Sequence, residues 1–282
     1  ADARDVASSF NLLSGDTGVS ATALSKANLT VSAAATFSFT LQGKSTTTSQ
    51  ITATVTSTTD LTAIKDAINA VSGSTGITAA LSSDKAGINI TQSEGYDILI
   101  GDVSTGSTNA DLVVAAMDMD NVKDTTDVTV DTTATITTGA AATIAATAHG
   151  FSVGDVVTYT AAGTALAGLA SGTSYIVGTV ANANSFTLLT TTSGAVTYGN
   201  SGSANGVTGA GGNASDKFTR IGRSLDGDST SGDSTAVVGV VRLSSQNAYT
   251  VSPGNAANIF STGTTELTAS HNTISNITLT TK

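Results

Sequence analysis

Cysteine and tryptophan are absent from the 282 residues, proline occurs once and histidine twice. Without cysteine there is no disulfide and no thiolate metal site. Aromatic residues make up only 4%, so any core must be built from Val, Ile, Leu and Ala. Basic residues number 11 against 21 acidic ones, for a net charge of −10. They form no cluster, which excludes the basic stripe that nucleic acid requires and disfavours an anionic membrane surface. The longest apolar runs, such as residues 236–241, fall far short of the roughly 20 residues that span a bilayer. The opening ADARDVASSF has no basic region followed by an apolar block, so no signal peptide is expected. Charged residues are 11%, under the usual quarter, and Thr, Ser, Ala and Gly fill the difference. Thr, Val and Ile favour strands with hydroxyls on the wet face. Apolar residues recurring at strand spacing argue against disorder.

One helix is legible. In TDLTAIKDAINAVSG (residues 59–73), Leu61, Ile64, Ile68 and Val71 fall at intervals of 3, 4 and 3, on one helical face. Thr59 or Asp60 would cap its start, and Gly73 stands where a helix ends in the left-handed conformation. Ahead of it, Phe37, Phe39 and Leu41 alternate, a turn follows at residues 42–44, and Ile51, Ala53 and Val55 alternate again. After it come strands at 77–81, 88–90 and 96–100, with a polar turn at 82–87. The expectation is a hairpin, one helix and a β meander, with the helix on one face of a sheet.

Two short stretches are near copies: SGDTGV at residues 14–19 and SGSTGI at residues 72–77. Sliding the chain by 58 positions also pairs Val6 with Ile64, Phe10 with Ile68, Asn11 with Asn69 and Leu13 with Val71. Val19 then meets Ile77, and Ala21 meets Ala79. The repeated object is a helix–turn–strand joint, and the start of the chain is the tail of a second helix of this kind.

From about Asp127 the text changes. Short apolar segments at 128–130, 134–136, 143–144, 151–160, 176–180, 184–189 and 196–198 are separated by Gly, Asn and Asp turns, with no helical period. Residues 199–213 are rich in Gly, Ser and Asn and read as a linker. Beyond them, residues 236–243 form a buried-strand candidate, 248–251 follow, and residues 258–260 and 277–279 supply the last apolar positions. The fold class expected is α+β, mostly β. Residues 1–125 and 206–282 would form a discontinuous domain, with residues 126–205 an all-β module inserted into it.

Few residues invite chemistry. A phosphate loop runs from strand to helix, so that backbone N–H groups and the helix N-terminus face the anion. SGSTG runs from helix to strand and presents the carbonyl end, the wrong polarity. Asp226, Asp228 and Asp233 lie in a glycine-rich loop but lack the rest of a calcium pattern, and Asp118, Asp120, Asp124, Asp127 and Asp131 fail likewise. His149 and His271 lie in unrelated segments, His149 as a turn residue at a strand end, with no signature of a nucleophile nearby. Asn28, Asn89, Asn213 and Asn276 fit the glycosylation acceptor pattern, a weak signal in so Ser/Thr-rich a chain. Its hydroxyls make O-linked sugar chemically feasible without selecting a site. No catalytic, cofactor-binding or metal site is expected, and no enzyme.

The text LTAIKDAINAVSGSTGITAAL (residues 61–81), with the INI and YDILI strands after it, resembles the flagellin hook IN motif of bacterial flagellins and hook-associated filament-cap proteins. The likeness spans residues 43–101. VASSFNLLSGDTGVSATAL (residues 6–24) resembles the point where a flagellin leaves its helical core for its outer domains, and GVVRLSSQNAYTV (residues 239–251) the strand pair by which such domains return. The resemblance implies the central, variable, surface-exposed region of a flagellin, secreted and supporting motility. Flagellins polymerise through long terminal helices, and no such helical run opens or closes this sequence. The partners implied are therefore neighbouring flagellin subunits, joined through helices outside these residues, with no nucleic acid and no membrane. The implied location is the extracellular filament, and no cofactor is implied. The alternatives are a filament-cap protein, or a bacterial surface adhesin or glycan-binding module, the last needing an exposed aromatic platform that this composition supplies poorly.

Overall fold

The computed structural model describes residues 2–105, 110–123, 125–129, 143–163, 165–166, 169–190, 216–225, 234–247, 249–251 and 267–269. The chain opens with α1 (Ala3–Leu12), the single turn α2 (Ser14–Thr17) and the long strand β1 (Val19–Val31). The hairpin β2 (Ala35–Gln42) and β3 (Ser49–Val55) leads to α3 (Thr62–Ala70) and the single turn α4 (Ser72–Thr75). Then come β4 (Ile77–Leu81), β5 (Ile88–Gln92), β6 (Ile98–Ser104), β7 (Leu112–Met117), β8 (Thr126–Thr129) and β9 (Ile144–Ala145). They are followed by β10 (Asp155–Thr160), β11 (Ser174–Asn182), β12 (Ser185–Thr190) and β13 (Lys217–Leu225). The last described elements are β14 (Thr235–Val237), β15 (Val240–Ser245), β16 (Tyr249–Val251) and β17 (Leu267–Ala269). The fold is α+β and mostly β, as the composition requires.

Two antiparallel sheets enclose the first core. One has the order β14-β6-β2-β3; the other runs β4-β5-β1-β7-β13-β10-β11-β12-β9, with β15 added to β1 and β8 to β13. The period-two residues expected to point inward do so. Phe37, Phe39 and Leu41 from β2, with Ile51 and Val55 from β3, are buried against Ala27 and Leu29 of β1 and Ile88 and Ile90 of β5. Leu61, just ahead of helix α3, and Ile64 and Ile68 within it are each fully buried, at the expected spacing. The Asp60 carboxylate accepts both the Thr62 N–H at 3.1 Å and its hydroxyl at 2.6 Å, which holds Asp60 below the usual carboxylate range.

A second core gathers Ile144, Phe151, Val157, Tyr159, Tyr175, Val177, Phe186, Leu188 and Phe218. Phe186 stands edge-on to both Phe151 and Phe218, with centroids 5.2 and 5.4 Å away. Strand β13 serves both cores. Phe218, near its start, belongs to the second, and Leu225, at its end, to the first. It pairs with β8 and β10 along most of its length and with β7 through Arg223–Leu225.

Residues 236–243 do not form the single buried strand expected. Thr235–Val237 pair with β6 in the four-stranded sheet, whereas Val240–Ser245 pair with β1 in the other. The crossing occurs at Val238, 68% exposed, and Gly239, where a Cβ would come within 2.7 Å of both Ala3 Cβ and Ser25 Oγ. Only glycine lets the backbone pass so close to α1. The strand expected at 96–100 starts at Ile98, because Tyr96 and Glu94 donate their N–H groups to the Gln92 side chain in a loop instead. The segments expected at 134–136, 196–198, 258–260 and 277–279, and the linker at 199–213, lie outside the described residues.

Candidate functional site: a duplicated helix–turn–strand joint

The two copies of the joint share the same bonds at their Asn, Ser and Thr positions. Asn11 Nδ2 donates to Ala21 O at 2.9 Å and its Oδ1 accepts Ala21 N–H at 2.7 Å; Asn69 and Ala79 do the same at 2.9 and 2.8 Å. The amide thus staples the last turn of the helix to the strand ten residues on, where one residue type supplies both a donor and an acceptor. Ser14 Oγ donates to Asn11 O, as Ser72 Oγ donates to Asn69 O. Thr17 Oγ1 donates to Leu13 O and accepts Val19 N–H, and Thr75 repeats this with Val71 and Ile77. The sequence pairs Asn11 with Asn69 but gives no hint of their task.

The left-handed residue is not Gly73. Helix α3 pauses at Val71 and a further helical turn, α4, runs to Thr75, so the left-handed positions are Gly76 and Gly18, with φ of 69° and 67°. Gly15 and Gly73 lie inside these short turns with open space around them. Within the second joint, Ser74 and Thr75 N–H donate to Val71 O, and Gly76 N–H to Ser72 O. These groups are therefore spent internally and are not presented to an anion. Gly18→Ala is expected to cost about 1 kcal/mol, the strain of a left-handed alanine, since nothing crowds the site. Gly76→Ala should cost more, because its Cβ would also press Gln92 Nε2 at 3.2 Å and Lys44 Cβ at 3.3 Å. Urea unfolding of the two variants checks the order, and a larger loss at Gly18 would contradict it.

The residues singled out for chemistry have structural roles where they are described. His149 is buried, its Nδ1 accepting Phe151 N–H at 2.9 Å and its Nε2 facing Asn182 O at 3.1 Å, with its ring against Phe151 and Phe186. It belongs to the second core. Asp118 Oδ1 accepts Asp120 and Val122 N–H in the turn after β7, and Asp120 pairs with Arg242 at 2.6 Å. Asp127 lies in β8. Asn28 and Asn89 bond each other across β1 and β5 at 2.8 Å, and Asn28 is 6% exposed, closed to a glycosylating enzyme in the folded state. Asp124, Asp131, Asn213, Asp226, Asp228, Asp233, His271 and Asn276 lie outside the described residues. Among the described residues no group of three His, Asp or Glu is placed to hold a metal ion. No helix among them is long and apolar enough to cross a membrane.

Where the two cores meet, Ser152, Asp155, Arg220, Arg223 and Val114 line a cavity of about 240 Å³. Burial pushes the Asp155 carboxyl up, opposed by the Ser152 N–H and by the charges of Arg220 and Arg223. Arg220 Nη1 stands 3.9 Å from Asp155 Oδ2. The cavity joins charges across β10 and β13. Asp111, just before β7, is likewise pushed up by burial, with the Ser32 hydroxyl opposing. The aromatic side chains Phe37, Phe39, Phe151, Phe186, Phe218, Tyr159 and Tyr175 are buried, and Tyr96 lies under the Arg4 guanidinium at 4.3 Å.

No curated protein matches the chain. The family model described as the flagellin hook IN motif matches residues 36–94, which run from the first inward-facing residues of β2 to the turn after β5. That span contains the hairpin, α3, the second joint and the β4–β5 pair, the unit that the first joint repeats in part. The chain therefore carries a flagellin-related segment, the flagellin hook IN motif, at residues 36–94.

Proposed function

We propose that this chain is the solvent-facing outer region of a bacterial flagellin, a structural part of the extracellular filament without catalytic activity. The observation that carries the reading is the IN motif at residues 36–94 together with its partial duplicate at residues 3–21. In this role the region decorates a helical core supplied by other parts of the subunit and sets the surface that the surroundings of the filament meet. In this reading residues 1–125 and 206–282 belong to the IN-type domain and residues 126–205 are inserted into it, with the start of β13, at Phe218, lent to the core of the inserted module. Contacts with neighbouring subunits run through the filament core. A net charge of −10 with few lysines keeps closely spaced copies apart in solution.

The test is immunogold electron microscopy with antibodies raised against the 282-residue chain. Labelling along the whole length of intact flagella is the expected result. Gold confined to the filament tip would assign the chain to a cap protein. Gold on the cell body and absent from flagella would overturn the reading in favour of a surface adhesin.

A further inference from the structure

The duplication runs further than the joint. Setting residues 241–251 (VRLSSQNAYTV) against residues 88–98 (INITQSEGYDI) matches Val241 with Ile88, Leu243 with Ile90, Ser244 with Thr91, Tyr249 with Tyr96 and Val251 with Ile98. The first stretch is β15 running on to β16, and the second is β5 running on to β6. The strand pairing repeats with the text. Strand β4 pairs with β5 through Ile77↔Gln92, Thr78↔Thr91, Ala79↔Ile90, Ala80↔Asn89 and Leu81↔Ile88. Strand β1 pairs with β15 through Val19↔Ser245, Ser20↔Ser244, Ala21↔Leu243, Thr22↔Arg242 and Ala23↔Val241. Val19 and Ala21 are the counterparts of Ile77 and Ala79, so all five pairs coincide without a shift of register.

Side-chain bonds coincide too. Thr78 Oγ1 donates to Thr91 O at 3.4 Å, and Ser20 Oγ donates to Ser244 O at 3.3 Å. Glu94 N–H donates to the Gln92 side chain at 2.9 Å, and Asn247 N–H donates to Ser245 Oγ at 3.1 Å. A slip of one residue would break these correspondences and turn every side chain of β15 to the other face. The two pairs differ in how they are closed. Ser82 N–H donates to Gly87 O at 2.8 Å across the short turn of residues 83–86. At the equivalent pair, Leu24↔Val240, the chain carries residues 25–239 in place of that turn. The β2–β3 hairpin, whose Lys44 N–H donates to Thr75 O at 2.8 Å over the second joint, has no counterpart over the first among the described residues.

From this we infer that the chain holds a second IN-type unit, built from residues 3–24 and 240–247, whose β4–β5 turn is replaced by all of residues 25–239. This split unit is the mount of the molecule. The first IN-type unit and the second core leave it and return to it at one corner, the Leu24–Val240 pair, and its two arms are each other's partners. The inference rests on register and bonding within the chain and stands apart from the filament reading.

The test exchanges one strand for its counterpart in the full 282-residue chain. Residues 241–245 receive the sequence of residues 88–92 through Val241→Ile, Arg242→Asn, Leu243→Ile, Ser244→Thr and Ser245→Gln. Losing Arg242 removes only an exposed ion pair with Asp120. Serine to glutamine is the demanding change, tolerated where the loop leaves the room that fully buried Gln92 fills. The expected result is a thermal midpoint within about 2 °C of the parent and unaltered amide exchange at residues 19–24. A control enters the same five residues one position early, at residues 240–244, which turns Asn and Thr toward the face that half-buried Val241 and Leu243 occupy. It should lower the midpoint by at least about 4 °C and speed exchange of residues 19–24 at least about tenfold, leaving residues 77–92 unchanged. An exchanged chain that falls as far as the control would overturn the inference, because β15 would then have no kinship with β5. A control that keeps the parent's midpoint would overturn it as well, and so would faster exchange spreading to residues 77–92, since the split unit would not then be a unit of its own.

Discussion

Ile68→Ala is expected to destabilise the protein by about 3–4 kcal/mol, and Phe10→Ala, at the equivalent place in the first joint, by less than about half as much. Ile68 is fully buried among Leu61, Ile64 and the strands of the IN-type sheets. Truncating it removes several methyl and methylene groups from water-free surroundings and leaves a cavity that a sheet on either side cannot collapse to fill. Phe10 is larger, so by transfer alone its loss should cost more. It is only half-buried, however, and water already reaches the face that alanine would vacate. Denaturant unfolding followed by circular dichroism measures both. Equal losses, or a greater one for Phe10→Ala, would contradict the difference in cover between the joints.

The second large effect lies in the other core. Tyr159→Phe should cost about 2–4 kcal/mol although it removes a single oxygen. That hydroxyl donates to Asp216 Oδ2 at 2.8 Å and accepts Leu166 N–H at 2.8 Å, and Tyr159, Leu166 and Asp216 are all buried. Phenylalanine would leave the Leu166 N–H unpaired and deprive a buried carboxylate of one of the two donors it has among the described residues, the other being Ala162 N–H at 2.7 Å. The same site sets an alkaline limit. Burial is the main cause that pushes the Tyr159 hydroxyl up to about 12, from 10.0. A folded-state value above the unfolded one means that the neutral form favours folding. Its contribution is complete below pH 10 and is lost as pH rises from 10 towards 12. Unfolding measured at pH 8 and pH 11 should therefore show a fall in the parent that is smaller in Tyr159→Phe. Equal falls would rule Tyr159 out as the titrating group.

Much of the IN-type unit was legible because its parts are local. The intervals of 3, 4 and 3 from Leu61 to Val71 state which face of α3 is buried, and no neighbour is needed to read them. Phe37 to Leu41 and Ile51 to Val55 do the same for the hairpin at a period of two. The boundaries were harder. Gly73 looked like the end of the helix, yet Thr75 Oγ1 holds one more turn by bonding Val71 O, and Gly76 is the left-handed residue. In the same way residues 236–243 have the composition of one strand, but Gly239 carries the chain from one sheet to the other.

What the sequence determined by itself was the alphabet of the fold and its repetition. Scarce charge and aromatics with abundant Thr, Val and Ile imposed strands, and the offset of 58 residues declared two equivalent joints. Its signals for both depend on neighbours a few residues apart. What only the tertiary structure decided was which surfaces are covered. Asn11 and Asn69 are the same residue at the same offset, yet one joint lies under a hairpin and the other is open. Burial is a property of what packs against a residue from elsewhere in the chain, and β13, shared between two cores, is placed by such distant partners. Local periodicity can say that a face is apolar; only packing says what, if anything, lies on it.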